Sequence, residues 1–537
     1  MPDQVTSNQV PLIEGQLVPR YRSDFSGGVN LYLGPRQIQD NESPSAVDCD
    51  FKGSTGVGSR LGYAQIGSVV NARTIGRGMS EFHKNGVDQA IRFADNGVNT
   101  SLAYSTGSTW TDVTSITLTS GLEIDCIQAE SKLYICNGTD ALLAWDGATL
   151  TNPANGKIGL YPTYFDKRIW VVDPTNRDTV SFCIQAGDPG TGLVFPDFVT
   201  TGATNQVSKP GTITLLEGAG LRITGTVVFK DSLYLFTGRG KYNSIWKVAT
   251  TATANAYSVT LITASVGCVS HRSITPVDND LMFADDFGVF TLGEVGTFAS
   301  IRTTNKSLRV QKVFDSLTGT TKQKLVGKFF NYKYHLFYSL YGSNNDSVIP
   351  YDIRYSAWQD WRNIAADEAT LYTDANGTRH LYFLEPTTGI VHELYSGTTN
   401  NGVAITSTWY SKSFDESSPD LMKLYLDHTF VFGLLTGTVT ITVIFNDSQT
   451  QAPVTLTQQS PQGGFGRGAF GQQAFGREKN TITVASVVNV PQRLKAKGQK
   501  FAVQYSISTT GSWRLDTITS ALIPFGHFKF PSANKLN

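Results

Sequence analysis

Two pairs of neighbouring carboxylates, Asp285-Asp286 and Asp367-Glu368, come nearest in this chain to a catalytic constellation. Glycoside hydrolysis needs two carboxyl groups facing each other across a cleft. Adjacent residues in turns do not face each other, and both pairs are expected as solvated turn carboxylates. His380 and His392 stand twelve residues apart, in strands of one repeat, without zinc-ligand spacing. Gly56-Val57-Gly58-Ser59-Arg60-Leu61-Gly62 imitates a dinucleotide fingerprint, but its third glycine comes one residue late and no long helix or βαβ unit follows. No Walker lysine motif is present. The chain therefore offers no nucleophile–base pair, metal site or phosphate cradle. It is expected not to be an enzyme and to need no cofactor.

The five cysteines lie at positions 49, 126, 136, 183 and 268. Their number is odd and none shows metal-ligand or CxxC spacing, so reduced and mostly buried thiols are expected. Cys126 and Cys136 are spaced to face each other across a hairpin.

A different chemistry is concentrated between Gly463 and Arg477, where Phe465, Phe470 and Phe475 recur at five-residue intervals beside Arg467 and Arg477. The glycine density there holds no strand of its own and predicts a protruding loop. Aromatics and arginine make good anchors, so these five residues are the candidates for contact with a neighbouring subunit or partner. The alternative is that the loop folds back on its own domain.

The elements that must carry these groups are short strands. Gly225–Val248 reads as an apolar run, the polar turn Lys230-Asp231, a second run Leu233–Phe236, a glycine break, and a return through Ile245 and Trp246. The theme recurs around Ile91, Leu133, Ile169, Leu281, Leu336 and Leu381. With Leu233 the markers are spaced 42, 36, 64, 48, 55 and 45 residues apart. A period of about 40–50 residues built of hairpins is the footprint of a β-propeller. A hairpin cannot bury its apolar face alone, so the repeats must stack.

The expected architecture is mainly β: an irregular propeller of about six or seven blades and a C-terminal β-sandwich. Residues 1–64 form an arm and turn-rich segment, 65–402 the propeller-like repeats, and 403–537 the sandwich with its Gly/Phe-rich loop at 463–477. The stretch 187–211 reads as a long loop between blades, and 305–315 as a short helix. No stretch has the length and hydropathy of a transmembrane helix. Lys+Arg and Asp+Glu balance at 44 each and only 16% of residues are charged, against about 25% in an average soluble protein. No net field calls for nucleic acid or an anionic membrane.

Asp24-Phe25-Ser26-Gly27-Gly28-Val29-Asn30, then Asn41-Glu42-Ser43-Pro44-Ser45-Ala46, then Arg60-Leu61-Gly62 resembles the opening of tailed-bacteriophage structural proteins that carry propellers. The basic run Gln492–Phe501 resembles the end of the tail nozzle (tail tubular) proteins of short-tailed phages, and Gly-Phe-Gly-Arg loops occur in C-terminal domains of such proteins. Tyr104–Trp110 resembles the Asp-box turn of sialidase-like propellers without its aspartate, as does Tyr505–Trp513; both are expected to mark blades. The resemblance implies a virion structural protein assembled in the host cytoplasm. Its homohexameric ring would close the DNA channel until ejection and then conduct the DNA. Implied partners are the tail adaptor or portal-proximal proteins, tail fibres or a needle, and viral DNA passing without sequence readout. A receptor-binding or fibre-attachment protein at the tail tip and a propeller glycan hydrolase are the alternatives.

Overall fold

The structure is a computed structural model describing residues 16–51, 56–67, 73–107, 109–188, 193–202, 206–238, 243–253, 255–295, 300–342, 344–419, 421–447, 449–450, 453–457, 480–485 and 502–527. It contains two compact units: residues 63–351 with 362–397, and residues 1–62 with 352–361 and 398–537.

The first unit is a β-propeller of seven antiparallel sheets, spanning 75–119, 125–151, 160–214, 223–263, 275–305, 326–352 and 368–394. These are blades one to seven. The first strands lie side by side around the axis from blade one to blade four and from blade five to blade seven, and the first strand of blade seven returns to that of blade one. The ring is closed by Tyr63–Gln65, which supplies an outer strand to blade seven by pairing with Val391–Leu394. The first residues of the unit thus clasp its last blade.

All seven sequence markers fall in the second strand of their blade, and none is more than 1% exposed. Burial on both faces of these strands explains their continuous apolar runs. The Lys230-Asp231 turn is a two-residue connection between Phe229 and Ser232. Both of its residues have positive φ, as do Asn85-Gly86, Glu130-Ser131, Asp166-Lys167 and Asn331-Tyr332 at the same position in other blades. This backbone matches the twist of the flanking strands, which is why the turns persist where glycine is missing. At the other end of the second strands, polar residues cap the next loop. Asp95 accepts from Gly97 N, Asn137 from Thr139 N, Asp173 from Thr175 N and Asp285 from Phe287 N.

Two expectations change here. The 187–211 stretch is not a connection between blades; it joins Thr179–Phe182 to Gly211–Thr214 within blade three. Its Gly/Pro content marks an excursion between paired strands and accounts for the widest marker spacing. The helical reading at 305–315 shifts to a 3-10 turn at Leu308–Val310, then α1 (Gln311–Ser316) and α2 (Gly319–Lys322).

The second unit is a sandwich. One sheet runs in the order Asn480–Ala485, Leu421–Leu435, Trp513–His527, Val57–Ser59, Cys49–Phe51, with Val18–Arg22 also on Trp513–His527. The other runs Ser45–Val47, Ser407–Tyr410, Val503–Thr509, Thr438–Phe445, Gln449–Thr450, with Val454–Thr457 also on Thr438–Phe445. Phe430, Phe432, Trp513 and Ile518 from the first and Trp409, Ile441, Tyr505 and Ile507 from the second share one core. Residues 16–62, read from sequence as part of a separate arm, contribute strands to both sheets. Tyr505–Trp513 accordingly connects the two sheets of the sandwich, from Val503–Thr509 in one to Trp513–His527 in the other, and does not belong to a blade.

The Phe-Ser-Gly-Gly-Val-Asn segment is built into this unit. Phe25 packs edge-on against Trp409 at 5.5 Å. Gly28, at φ +71°, lies where a Cβ would strike the Trp358 backbone. Asn30 Nδ2 donates to Glu42 Oε2 at 2.8 Å, and Arg60 Nε to Asp48 Oδ1 at 2.6 Å. Gly56 and Gly58 are glycines because the Leu515 and Trp513 carbonyls occupy the space of their Cβ atoms. Close strand approach, not phosphate binding, accounts for that spacing.

Candidate functional site: the charge cluster at the propeller axis

Between blades four and five the chain makes the short turn His271–Ser273. The turn lies against the first strands of blades four and six, where Gly225 and Gly327 leave room for it. A Cβ on Gly225 would meet Ile274 and His271, and one on Gly327 would meet the Ser273 carbonyl. The turn is held by Ser270 Oγ to Leu325 O at 2.7 Å, Tyr334 OH to Ser273 O at 2.7 Å, Ala284 N to Ser273 Oγ at 3.1 Å and Thr226 N to His271 Nδ1 at 3.4 Å, among other bonds. Burial pushes the His271 pKa down to about 3, so the ring is neutral and accepts at Nδ1.

From this turn Arg272 reaches the first strands of three other blades. Its Nε lies 2.8 Å from Glu368 Oε2 in blade seven and 3.3 Å from Asp125 Oδ1 in blade two. Nη2 donates to the carbonyls of Arg77, in blade one, at 2.9 Å and of Ile124 at 3.0 Å. Nη1 donates to Asp367 O at 3.2 Å and stands 3.6 Å from Asp367 Oδ2. Lys328 Nζ, from blade six, lies 3.5 Å from the other Glu368 oxygen. The planar guanidinium fork suits this role, since it satisfies several acceptors at fixed angles.

Burial by itself would lower the Arg272 pKa. Glu368, Glu123, Asp125 and Asp367 reverse that and hold the group charged well above the ordinary arginine value. Burial raises Asp367 to about 6 against the pull of Arg272. The cluster is thus a buried cation ringed by carboxylates, one of them poised to take a proton near neutrality. It ties blades one, two and seven to the turn between blades four and five.

The carboxylate pairs expected in solvated turns are placed differently. Glu368 is the buried first residue of a first strand, with Asp367 beside it. Asp285 is the buried last residue of a second strand and accepts from Gly267 N at 2.9 Å, while only Asp286 is in the exposed turn. Strand ends directed at polar partners, not turns, explain these positions. His380 lies 2.6 Å from Glu393 and His392 3.3 Å from Glu385, so the two histidines have separate carboxylate partners. Register places Cys136 opposite Asp125 and Cys126 opposite Ile135, and all five cysteines are free thiols. Among the described residues no group of three or more His, Cys, Asp or Glu side chains is disposed to hold a metal. The contact candidates Phe465, Arg467, Phe470, Phe475 and Arg477, and the Gln492–Phe501 run, lie outside the described residues.

Arg272 itself was not singled out by sequence. A lone arginine in a short connection has no periodicity. The available signal was the Ala-Ala-Asp-Glu-Ala stretch at 365–369, in which two carboxylates sit directly ahead of an apolar strand.

No family model and no curated protein matches the chain. Among solved structures it is similar to BamB from Moraxella catarrhalis, with 11% identity over 72% of this chain and 97% of that one, at a TM-score of 0.34. It is similar to an exo-β-1,3-galactanase from Phanerochaete chrysosporium, with 11% identity over 86% of this chain and 100% of that one, at a TM-score of 0.26. A third is the extracellular domain of a putative hybrid two-component system from B. thetaiotaomicron, with 7% identity over 79% of this chain and 47% of that one, at a TM-score of 0.40.

Proposed function

We propose that this protein is a structural component of the tail of a short-tailed bacteriophage, a subunit of the nozzle ring that closes the DNA channel and later conducts DNA through it. The observation that carries this reading is the Arg272 cluster. Here the inner strands are tied across the axis by Arg272, Glu368 and Asp125. Such a propeller suits a rigid wall, and the channel of the ring then runs between copies and not through a propeller axis. A closed ring of copies also fits a chain of zero net charge with few charged residues, since a strongly basic lumen would bind DNA and retard it.

In this reading the chain is not an enzyme. It contacts the adaptor above and fibres or a needle beside or below, and resides in the virion. The test is genetic. Particles lacking the protein should package DNA into normal heads but leak it or fail to deliver it. Particles that retained their DNA and infected normally would refute the assignment.

A further inference from the structure

Blade four ends in an outer strand unlike those of the other blades. Tyr257–Thr263 has seven residues, lies at the edge of its sheet, and carries Val259 at 39% and Leu261 at 44% exposed. From Val248 to Ser270 the sequence has no Asp, Glu, Lys, Arg or Pro. Folded proteins blunt a free strand edge by shortness, charge, proline, a bulge or a cover, because its unpaired N–H and C=O groups invite another strand. The other outer edges follow that rule. In blades two and six the outer strands are two residues long, and in blade three four residues follow Pro210. The outer strand of blade five includes Arg302. In blade one the pairing is interrupted between Val113 and Leu118, and in blade seven Tyr63–Gln65 covers Val391–Leu394. In blade four, Tyr257 to Leu261 pair residue by residue with Trp246 to Thr250, and only Ile262, near the strand end, is bulged.

The strand is held in place. Tyr257 OH donates to Asp166 Oδ2 at 2.7 Å, and its ring packs edge-on against Trp170 and Phe182 of blade three. A second uncharged edge lies in the sandwich. Val454–Thr457 pairs with residues 438–441 on one side and, among the described residues, with no strand on the other. From Gln449 to Ser460 the sequence has no Asp, Glu, Lys or Arg, and Thr455 is exposed. Both strands contain the order Val-Thr-Leu, at 259–261 and at 454–456. Laid antiparallel with Thr260 opposite Thr455, they set Val259 opposite Leu456 and Leu261 opposite Val454. Threonine then meets threonine, and apolar positions meet apolar positions on one face.

From this match we infer that the blade-four edge of one copy pairs with Val454–Thr457 of the next copy in the ring. The inference rests on the ring reading proposed above and names its contact. Two different surfaces of one chain meet, so the contact is head-to-tail and repeats around a closed ring, as pairing of the blade-four edge with itself would not. Main-chain hydrogen bonds supply the attraction in strand addition, and alternate side chains fix the register. With no charge on either strand, the contact buries no unpaired ion.

The experiment places Thr260→Cys and Thr455→Cys together in the full chain and oxidises it under conditions of ring assembly. Covalent ladders longer than a dimer are expected on denaturing gels, with none from either single variant. Val259→Lys with Leu261→Lys should abolish rings in electron micrographs with unchanged melting temperature. Thr114→Lys with Ser115→Lys, exposed on the interrupted edge of blade one, should leave them intact. Rings without ladders, or rings that survive Val259→Lys with Leu261→Lys, would overturn the inference and leave the ring reading standing. Dimers from Thr260→Cys alone would show two-fold pairing of the edge and overturn it as well. Absence of both rings and ladders would overturn the inference and the ring reading together.

Discussion

Arg272 Nε, in the turn between blades four and five, lies 2.8 Å from Glu368 Oε2, at the start of blade seven. Blades that are not neighbours in the ring are thereby bonded to each other. Replacing Arg272 with methionine leaves the Asp125, Asp367 and Glu368 carboxylates without their shared cation. Breaking a buried pair this way costs about 3–5 kcal/mol, and Arg272→Lys should recover only part because an ammonium lacks the fork. Urea unfolding of the propeller measures this, and an unchanged midpoint for Arg272→Met would contradict the role given to the cluster.

Asp367 makes the cluster pH-dependent. Its folded value of about 6 stands above the ordinary 3.8, so the fold favours the protonated carboxyl. The corresponding stability is complete below pH about 4 and is lost as pH rises through about 6, on the order of 2 kcal/mol in all. Asp367→Asn fixes a neutral side chain. The variant should therefore gain on the wild type between pH 4 and 7. A difference that stays flat across this range would show that Asp367 does not titrate there.

Ring closure rests on a short strand. Ile66 N, just beyond Tyr63–Gln65, donates to Val391 O at 2.9 Å. Ile66→Pro removes that donor and should destabilise the propeller by about 1–3 kcal/mol more than Ile66→Ala, which keeps the amide. Equal melting of the two variants would mean that side-chain packing alone holds the clasp.

In the sandwich, His428 Nδ1 and the Tyr505 hydroxyl share a hydrogen bond at 2.9 Å, and burial pushes the histidine down to about 3. Stability from this neutral histidine is present above pH about 6.5 and is lost as pH falls toward 3. His428→Phe, which keeps a ring against Tyr425 and Phe445, should lessen the loss between pH 6.5 and 4 by on the order of 2 kcal/mol. An unchanged acid profile by tryptophan fluorescence would show that another group governs it.

The blades were legible because each second strand is buried on both faces, so Ile91, Leu133 and their counterparts stand in continuous apolar runs. The closing strand was not, because Tyr63–Gln65 is three residues long and its partner lies more than 300 residues away. The role of the described residues between 16 and 62 was hidden for the same reason: Val18–Arg22 pairs with residues 518–522. The chemistry of Arg272 was hidden because its partners come from three blades far from it in sequence, and no local pattern announces a residue whose meaning is a crossing. Asp367-Glu368 looked like a turn because charge is usually solvated, and here a cation brought from elsewhere keeps it in place.

Under the proposed function, copies of this propeller-and-sandwich chain build a channel-forming ring. Electron microscopy of the purified protein tests it most directly. Closed six-fold rings with an axial hole between subunits are expected. Monomers alone at assembly concentrations, or an open two-fold dimer without a hole, would contradict it.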